Sequence, residues 1–287
     1  MHSAVNWPAP AKINLFLHIT GRRPDGYHLL QTAFQFLDFC DQLRFIPRDD
    51  ALIHRRNQVD SVPEQQDLCV KAAKLLQRTA NVERGVDIEI DKQIPMGGGL
   101  GGGSSNAATT LWALNQLWGV DLGVERLAEL SLQLGADVPV FVRGVAAWAE
   151  GVGEKLAPIE LAEPWYLLIV PCVHVSTAEI FSAAELTRNC APITIRDLAA
   201  GKVGNVCEAV VCSRYPQVAQ ALAWMSVRAP ARMTGTGACV FGRFDSQTLA
   251  QQALQELREN RSLDWRAFVA RGLNRSPLLE KVIATGV

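Results

Sequence analysis

A run of glycines in the first half of the chain restricts the possible folds more than any other feature. Residues 97–103 contain six glycines in seven positions, and Ser104 and Ser105 follow directly. The run lies between residues 86–90, whose alternating pattern predicts a strand, and residues 104–118, which predict a helix capped by one of the two serines. Glycine permits positive φ, so successive amides can face one concavity, and the helix start adds unpaired N–H groups. The segment therefore predicts a phosphate-binding loop.

Three other interpretations of the glycine run compete with this one. A flexible linker would not usually lie between a clear strand and a clear helix. No Gly-Lys-Ser/Thr triplet closes the run, as a Walker loop requires. The Gly-x-Gly-x-x-Gly fingerprint of dinucleotide-dependent oxidoreductases is present at Gly97, Gly99 and Gly102. It also needs a second strand with an acidic end about 20 residues later, near Asp121 or Glu125. This alternative therefore requires a strand within residues 115–130.

The composition is typical of a soluble globular protein. The 287 residues are 48% hydrophobic, which allows a sizeable core, and the net charge of -1 argues against a general nucleic-acid binder. No apolar run approaches the ~18 residues of a membrane span, and residues 1–10 lack the pattern of a signal peptide. The seven cysteines show no Cys-x-x-Cys spacing, so we expect reduced thiols in a cytoplasmic protein without a zinc site.

The order of predicted elements indicates an α+β protein with two lobes, because strands and helices alternate with long non-local connections. A change in composition near Pro158 places the boundary between domains 1–157 and 158–287. The predicted strands are 11–19, 29–37, 42–46, 86–90, 146–149, 165–170, 239–244 and 267–269. The predicted helices are 68–80, 104–118, 124–134, 178–186, 218–227 and 249–259.

The first predicted strand carries side chains of different character on its two faces. Strict alternation places four aliphatic side chains on one face, namely Ile13, Leu15, Leu17 and Ile19. The other face then carries Lys12, Asn14, Phe16 and His18. A lysine on a strand is often only a solvated edge residue, but its polar and aromatic companions favour a lined pocket. We assign no role to His18.

Asp137 is the best carboxylate for proton transfer. It follows a predicted helix in Gly-Ala-Asp-Val-Pro, where it can also act as the N-cap of a further turn, with Pro139 in the first-turn region. Phosphoryl transfer depends mainly on positioning and charge stabilisation, and an acceptor hydroxyl also benefits from a nearby carboxylate. Lys12 is the best candidate to hold that carboxylate ionised.

The glycine run resembles the Pro-x-x-x-Gly-Leu-Gly-Ser-Ser motif of the galactokinase, homoserine kinase, mevalonate kinase and phosphomevalonate kinase (GHMP) superfamily. Further segments match in the family's order and span most of the chain. The matching segments are 10–15, 23–28, 95–105, 134–141 and 234–238. The Asp-Gly-Tyr-His turn and the Gly-Ala-Asp-Val-Pro segment together resemble the branch that acts on a cytidine diphosphate-linked methylerythritol in non-mevalonate isoprenoid biosynthesis.

This resemblance implies transfer of the ATP γ-phosphate to the 2-hydroxyl of that small-molecule substrate. Asp137 would match the family's catalytic aspartate, and Lys12 the lysine paired with it. Asn14 would help to fix the substrate. The resemblance also implies that Tyr27 and His28 line the cytidine pocket, while Phe181 stacks on cytosine opposite Tyr27.

The resemblance further implies where ATP binds and how the lobes divide the work. The N-terminal lobe would carry Lys12, the loop and Asp137, and a ferredoxin-like C-terminal lobe would supply Phe181 and the turn 234–237. The implied ATP-binding residues are Leu68, Pro95, Met96, Gly97, Gly98, Gly99, Leu100, Gly101, Gly102, Gly103, Ser104 and Ser105.

Two further expectations accompany this site. Mg²⁺ follows only from ATP chemistry, because no protein metal-ligand set is visible, and the chain is expected to be a monomer or a weak homodimer. At one position the family often has Asn-Leu, whereas this chain has Asp67-Leu68. That difference changes the donors and acceptors near the expected adenine pocket.

Overall fold

A computed structural model describes residues 6–59, 62–260, 263 and 265–285. Strands and helices alternate along this part of the chain. The strands are β1 Asn6–Arg22, β2 His28–Arg48, β3 Ile53–Arg55, β4 Gly85–Asp91, β5 Ala147–Glu150, β6 Lys155–Pro158, β7 Trp165–Val170, β8 Ala231–Met233, β9 Val240–Phe244 and β10 Arg266–Leu273. The helices are α1 Leu68–Thr79, α2 Gly102–Leu117, α3 Val124–Ser131, α4 Val138–Arg143, α5 Thr177–Ser182, α6 Ile195–Ala199, α7 Val206–Arg214, α8 Pro216–Ser226, α9 Gln247–Glu259 and α10 Pro277–Ala284.

The predicted α+β class with two lobes is confirmed, and most predicted elements are present. The two strands predicted at 29–37 and 42–46 form the single strand β2. The helix predicted at 178–186 ends at Ser182, where Ala183 is already extended. Among the described residues, no helix is both long and apolar enough to cross a membrane.

Strand β2 organises the whole sheet, because both of its edges are paired. One edge pairs with β1 along almost its entire length. The other edge pairs in succession with β5, β10 and β4, all antiparallel. Beyond β10 the sheet continues through β7, β9 and β8. Strand β10 therefore joins the sheet of the first lobe to that of the second.

The predicted alternation of faces along β1 is wrong beyond Asn14. Asn14 lies opposite Phe34 on β2, but Leu17 lies opposite Thr32, so β1 contains one extra residue here. Such a bulge reverses the inward and outward alternation of the side chains that follow. Leu17 consequently lines the cleft with Lys12 and Asn14.

The other side of the bulged segment packs into a small aromatic cluster. The ring of Phe16 lies 5.1 Å from that of Trp148 and 5.3 Å from that of His18, measured between centroids. Phe16 is fully buried. Phe16 and His18 therefore share a face with each other, and not with Lys12 as predicted.

Each lobe has its own apolar core, and a third core joins them. Helices α1 to α4 cover one side of the first sheet, while helices α5 and α7 to α9 pack with β7, β9 and β10 in the second lobe. The joining core contains Ile13 and Leu37 from the first sheet and Leu168 and Phe241 from the second. Leu100, the one non-glycine residue of the glycine run, is buried in this joining core.

Helix α10 follows the second lobe in the sequence but packs into the core of the first. Its side chains Leu278 and Val282 are buried among the residues of that first core. The Ser276 amide donates to the Gly144 carbonyl at 2.8 Å, which fixes the start of the helix beside α4. A division of the chain into domains at residue 158 stays a prediction.

Candidate active site

The glycine loop has the alternating backbone that a concave anion site needs. Gly97, Gly99 and Gly101 have φ of 70°, 75° and 73°, whereas Gly98 and Leu100 between them do not have positive φ. Alternation of right- and left-handed residues turns successive N–H groups towards one point. The sequence prediction of positive φ is confirmed at these three positions.

Glycine is required at two of these positions because other groups approach closely. A Cβ on Gly99 would lie 2.5 Å from the carbonyl oxygen of Thr234, and one on Gly101 would lie 2.7 Å from Cζ of Phe141. The backbone of the turn 234–237 is thereby held against the glycine loop. The Cys239 amide also donates to the Gly98 carbonyl at 3.3 Å.

The helix after the loop begins earlier than predicted. Helix α2 starts at Gly102 with Gly101 as its N-cap, so Ser104 and Ser105 lie within its first turn and neither is the cap. Ser104 lines the cleft, whereas Ser105 is fully buried. Ser105 Oγ has no hydrogen-bond partner among the residues that the structure describes. The first turn of α2 therefore contains free amides and one hydroxyl without a hydrogen-bond partner among the described residues.

Lys12 is buried and surrounded by oxygen atoms. Its residue is only 3% exposed. The ammonium donates to Asn14 Oδ1 at 2.6 Å and to the Gly99 carbonyl at 3.1 Å, and it lies 5.2 Å from the ring centre of Phe34. A solvated lysine on a sheet edge, which was the alternative interpretation, is therefore excluded.

Asp137 lies directly beside Lys12, at the mouth of the cleft. Asp137 Oδ2 is 3.3 Å from Lys12 Nζ, and the carboxylate side chain is 39% exposed. Asp137 occupies the N-cap position of α4 but makes no side-chain capping bond. Its carboxylate is thus free to face both Lys12 and a ligand. The structure brings together two residues that are 125 positions apart in the sequence (137 − 12).

Asn14 connects Lys12 to the turn 234–237. Its backbone amide donates to Thr234 Oγ1 at 2.8 Å, and its side-chain Nδ2 donates to Thr32 Oγ1 at 2.9 Å. Asn205 holds the same turn from behind by donating to the carbonyls of Met233 and Gly235. The turn 234–237 is therefore bound by Asn14 on one side and by Asn205 on the other.

These residues line a cavity of about 410 Å³ that continues into a second one of about 580 Å³. The first cavity contains Lys12, Asp137 and the exposed side of the glycine loop. The second lies beside the turn before β2. The two share four lining residues, which are Leu30, Ala136, Val152 and Phe181. The site is thus one elongated cleft with a polar end and an aromatic end.

The aromatic end contains all three predicted base-pocket residues. The rings of His28 and Phe181 are stacked, with centroids 5.2 Å apart and planes 20° apart. Tyr27 is 63% exposed at the rim. Arg188 Nε donates to His28 Nε2 at 3.1 Å, and its other nitrogens donate to the carbonyls of Phe181, Ala183 and Leu186. Because arginine has no acceptor, the proton of neutral His28 must be on Nδ1.

The protonation of His28 depends on its surroundings. Burial lowers the pKa of His28, and the charges of Arg188 and Arg22 lower it further. We expect Arg188→Met to raise the pKa of His28 towards its ordinary value, because one repelling charge is removed. An NMR titration of the imidazole from about pH 5 to about pH 8 would measure this shift. Arg188→Lys keeps the charge and should produce a smaller rise, whereas an unchanged pKa in Arg188→Met would contradict the expectation.

Both carboxylate oxygens of Asp67 bind other groups of the protein. Asp67 Oδ1 accepts from the Cys69 amide at 2.7 Å as the N-cap of α1. Its other oxygen lies 2.5 Å from Arg55, and both side chains are less than a tenth exposed. The carboxylate therefore stabilises the start of α1 and neutralises a buried arginine. Leu68, next along, lies against the glycine loop, with Cδ1 3.5 Å from the position of a Cβ on Gly103.

Asp67→Ala is expected to lower the free energy of unfolding by about 3 kcal/mol, because it removes a helix cap and leaves a buried guanidinium without its carboxylate. Chemical denaturation would measure the loss. Asp67→Asn keeps a good cap and should cost less than the alanine variant. Equal stability of the wild type and Asp67→Ala would show that the buried pair contributes nothing.

The structure bears on the choice between a kinase and a dinucleotide-dependent oxidoreductase. Residues 115–130 contain the end of α2, a turn and most of α3, without a strand. The dinucleotide fingerprint therefore lacks the second strand that it requires. Within the described residues, no group of three or more His, Cys, Asp or Glu side chains could hold a metal ion. The structure therefore does not support the oxidoreductase alternative.

Several residues of the site were not predicted from the sequence. Thr32 binds Asn14 and Arg188 binds His28, across 18 and 160 positions of sequence. Asn205 binds the carbonyls of Met233 and Gly235, 28 and 30 positions away. Thr177 and Thr236 also line the cleft and share a hydrogen bond of 2.8 Å. No local pattern marks these residues, because their partners are brought near only by the fold.

Comparison with known proteins identifies the family. The GHMP kinases N terminal domain matches residues 67–145, and the GHMP kinases C terminal domain matches residues 194–262. A 4-diphosphocytidyl-2-C-methyl-D-erythritol kinase from Nitrosococcus oceani is 56% identical over 98% of this chain and 99% of its own. The enzyme of that name from Alkalilimnicola ehrlichii is 57% identical over 96% and 94%.

Solved structures agree with this assignment. A crystal structure of 4-(cytidine 5'-diphospho)-2C-methyl-D-erythritol kinase superposes with a TM-score of 0.81 and 30% identity, over 93% of this chain and 99% of that one. The Methanococcus jannaschii mevalonate kinase gives a TM-score of 0.69 at 17% identity over 95% and 99%, which shows a shared fold. This chain is a small-molecule kinase that belongs to the 4-diphosphocytidyl-2-C-methyl-D-erythritol kinase family of GHMP kinases.

Proposed function

We propose that the chain transfers the γ-phosphoryl group of ATP to the 2-hydroxyl of 4-diphosphocytidyl-2-C-methyl-D-erythritol. The observation that carries this proposal is the pair of Lys12 and Asp137, 3.3 Å apart, between the glycine loop and the aromatic end of the cleft. The names of relatives that are more than 50% identical along almost the whole chain refer to the same substrate.

Asp137 is the group that accepts the proton of the substrate hydroxyl. The ammonium of Lys12 lies 3.3 Å from the carboxylate, and the partial exposure of Asp137 leaves it open to the substrate. The hydroxyl oxygen bonds to the γ-phosphorus while the bond from that phosphorus to the β-phosphate oxygen breaks. ADP leaves, and Lys12 can stabilise the negative charge on the transferring group.

The ATP phosphates bind at the glycine loop. The alternating backbone of Gly97, Gly99 and Gly101 and the free amides at the start of α2 both favour an anion. Mg²⁺ would be held mainly by phosphate oxygens and water, as is usual for this ion, with the hydroxyls of Ser104, which lines the cleft, and Ser105 as the candidate protein ligands. The unsatisfied hydroxyl of Ser105 suits such a role. The ion offsets the charge of the phosphates.

Cytidine binds at the aromatic end. The exposed ring of Tyr27 and the ring of Phe181 offer flat faces for a base. Burial and then the charges of Arg188 and Arg22 lower the pKa of His28, and the neutral ring offers Nδ1–H as a donor. A neutral cytosine ring presents two acceptors beside each other, N3 and O2, which such a donor can distinguish from the N–H of uracil.

The test is ADP release by the purified protein with Mg-ATP and four acceptors. These are the diphosphocytidyl-methylerythritol, mevalonate, homoserine and galactose. Turnover with the cytidyl compound alone is the expected result. Turnover with a different acceptor would retain a GHMP kinase and overturn the substrate. No ADP with any acceptor, together with binding of NADH in place of ATP, would overturn the kinase itself.

A further inference from the structure

The bulge in β1 leaves two backbone carbonyls outside the ladder with β2, and each is bound by a side chain. Leu15 and Phe16 have no partner in the register between the two strands. The Leu15 carbonyl accepts from Arg232 at 3.1 Å. The Phe16 carbonyl accepts from the hydroxyl of Thr32, which is 1% exposed. The bulge thus creates an acceptor that determines where the Thr32 proton points.

The direction of that proton determines the orientation of Asn14. Because Thr32 gives its only proton to the Phe16 carbonyl, its hydroxyl can only accept from other groups. Asn14 Nδ2 is the donor that fills this place, at 2.9 Å. The amide oxygen of Asn14 must therefore face the opposite way. It accepts from Lys12 Nζ at 2.6 Å.

The orientation of Asn14 in turn fixes the lysine. Lys12 has three ammonium protons, and its oxygen neighbours are Asn14 Oδ1, the Gly99 carbonyl and Asp137 Oδ2. A reversed Asn14 amide would present an NH₂ group to the ammonium, and this buried cation would lose its shortest hydrogen bond. The position of the Lys12 ammonium beside Asp137 therefore depends on the hydrogen bond from Thr32 to the Phe16 carbonyl, which acts through Asn14.

We propose that Thr32 is a positioning residue for phosphoryl transfer. It does not need to touch the substrate. It holds the Asn14 amide in the one orientation that directs Lys12 towards Gly99 and Asp137. The catalytic consequence rests on the proposed function, whereas the orientation of the amide does not.

The first test compares Thr32→Val, which keeps the shape and removes the hydroxyl, with Thr32→Ser, which keeps the hydroxyl. We expect Thr32→Val to lower kcat about tenfold to a hundredfold, since a small misplacement of a catalytic group has effects of that size. The KM for ATP should remain within about twofold, because the hydroxyl of Thr32 bonds to Asn14 and to the Phe16 carbonyl and not to the glycine loop. Thr32→Ser should restore most of kcat.

A double-mutant cycle separates positioning from a general loss of structure. In an Asn14→Ala background, Thr32→Val should change kcat less than about twofold, because the amide that Thr32 orients is already absent. Equal effects of Thr32→Val in both backgrounds would overturn the proposal. Circular dichroism and thermal unfolding would monitor the fold. If Thr32→Val does not fold, Thr32→Ala takes its place in the same cycle.

A second readout needs no substrate. The side-chain amide protons of Asn14, observed by NMR in the unliganded protein, should be protected from exchange with water in the wild type and in Thr32→Ser. Protection should be lost in Thr32→Val. Unchanged protection and unchanged kcat would overturn the proposal. Loss of protection in a protein that phosphorylates none of the acceptors would retain the positioning and overturn the proposed function.

Discussion

Asp137→Asn is expected to lower kcat for the cytidyl substrate by about 10²- to 10⁴-fold, the usual contribution of a positioned general base. The asparagine has the same shape but cannot accept the hydroxyl proton at neutral pH. Steady-state ADP release would measure kcat, and a binding titration with ATP would show the nucleotide site intact. The free energy of unfolding should change little, because Asp137 makes no capping bond to α4 and Lys12 keeps its bonds to Asn14 Oδ1 and the Gly99 carbonyl.

Glu129→Gln provides the matched control for Asp137→Asn. Glu129 is exposed on the neighbouring helix α3 and pairs only with Arg126 among the interactions of the described residues. Its loss should leave both kcat and stability near the wild-type values. Retention of more than about a tenth of wild-type kcat by Asp137→Asn would contradict its role as the base.

Gly101→Ala is expected to damage both stability and nucleotide binding. Its φ of 73° costs an alanine about 1–2 kcal/mol. The added Cβ would also lie 2.7 Å from Phe141 and 3.1 Å from Lys12 Cε, so the loop must shift. Because the amides of the loop then no longer face one point, we expect kcat/KM for ATP to fall at least about tenfold.

Gly119→Ala separates the two causes of this effect. Gly119 also has positive φ, at 64°, but a Cβ there would meet nothing within 4 Å. It lies in the exposed turn after α2, away from the cleft. Gly119→Ala should therefore show the backbone cost alone, about 1–2 kcal/mol in denaturation, with unchanged kcat/KM. Similar kinetics for the two variants would show that the close contacts around Gly101 do not matter.

Local patterns predicted the parts of the fold that depend on neighbouring residues. The strand at 165–170 has the predicted bounds, because an apolar run of this length has one main way to be buried. The positive φ values of the glycine loop followed from its composition alone. The pairing of Lys12 with Asp137 came from the family resemblance, since no spacing rule relates positions so far apart.

The misassigned residues show what local patterns cannot contain. Alternation placed Phe16 and His18 beside Lys12, but a bulge intervenes, and its position depends on how β2 pairs with β1. The serines of the loop looked like helix caps, whereas Gly101 in a left-handed conformation begins the helix one turn earlier. Arg188 sets the tautomer of His28 across 160 positions of sequence. Each of these depends on partners that only the complete fold brings together.

The return of α10 to the first lobe has a consequence for synthesis. Leu278 and Val282 complete a core whose other members lie between Trp7 and Ala149. A ribosome releases the chain from the N-terminus onwards, so Lys12 and Asp137 are already outside while this core still lacks two members. The second lobe is therefore synthesised before the core of the first lobe can be completed. The core of the first lobe is therefore complete only after nearly the whole chain has been translated, and a nascent fragment that contains the complete glycine loop still lacks two residues of this core.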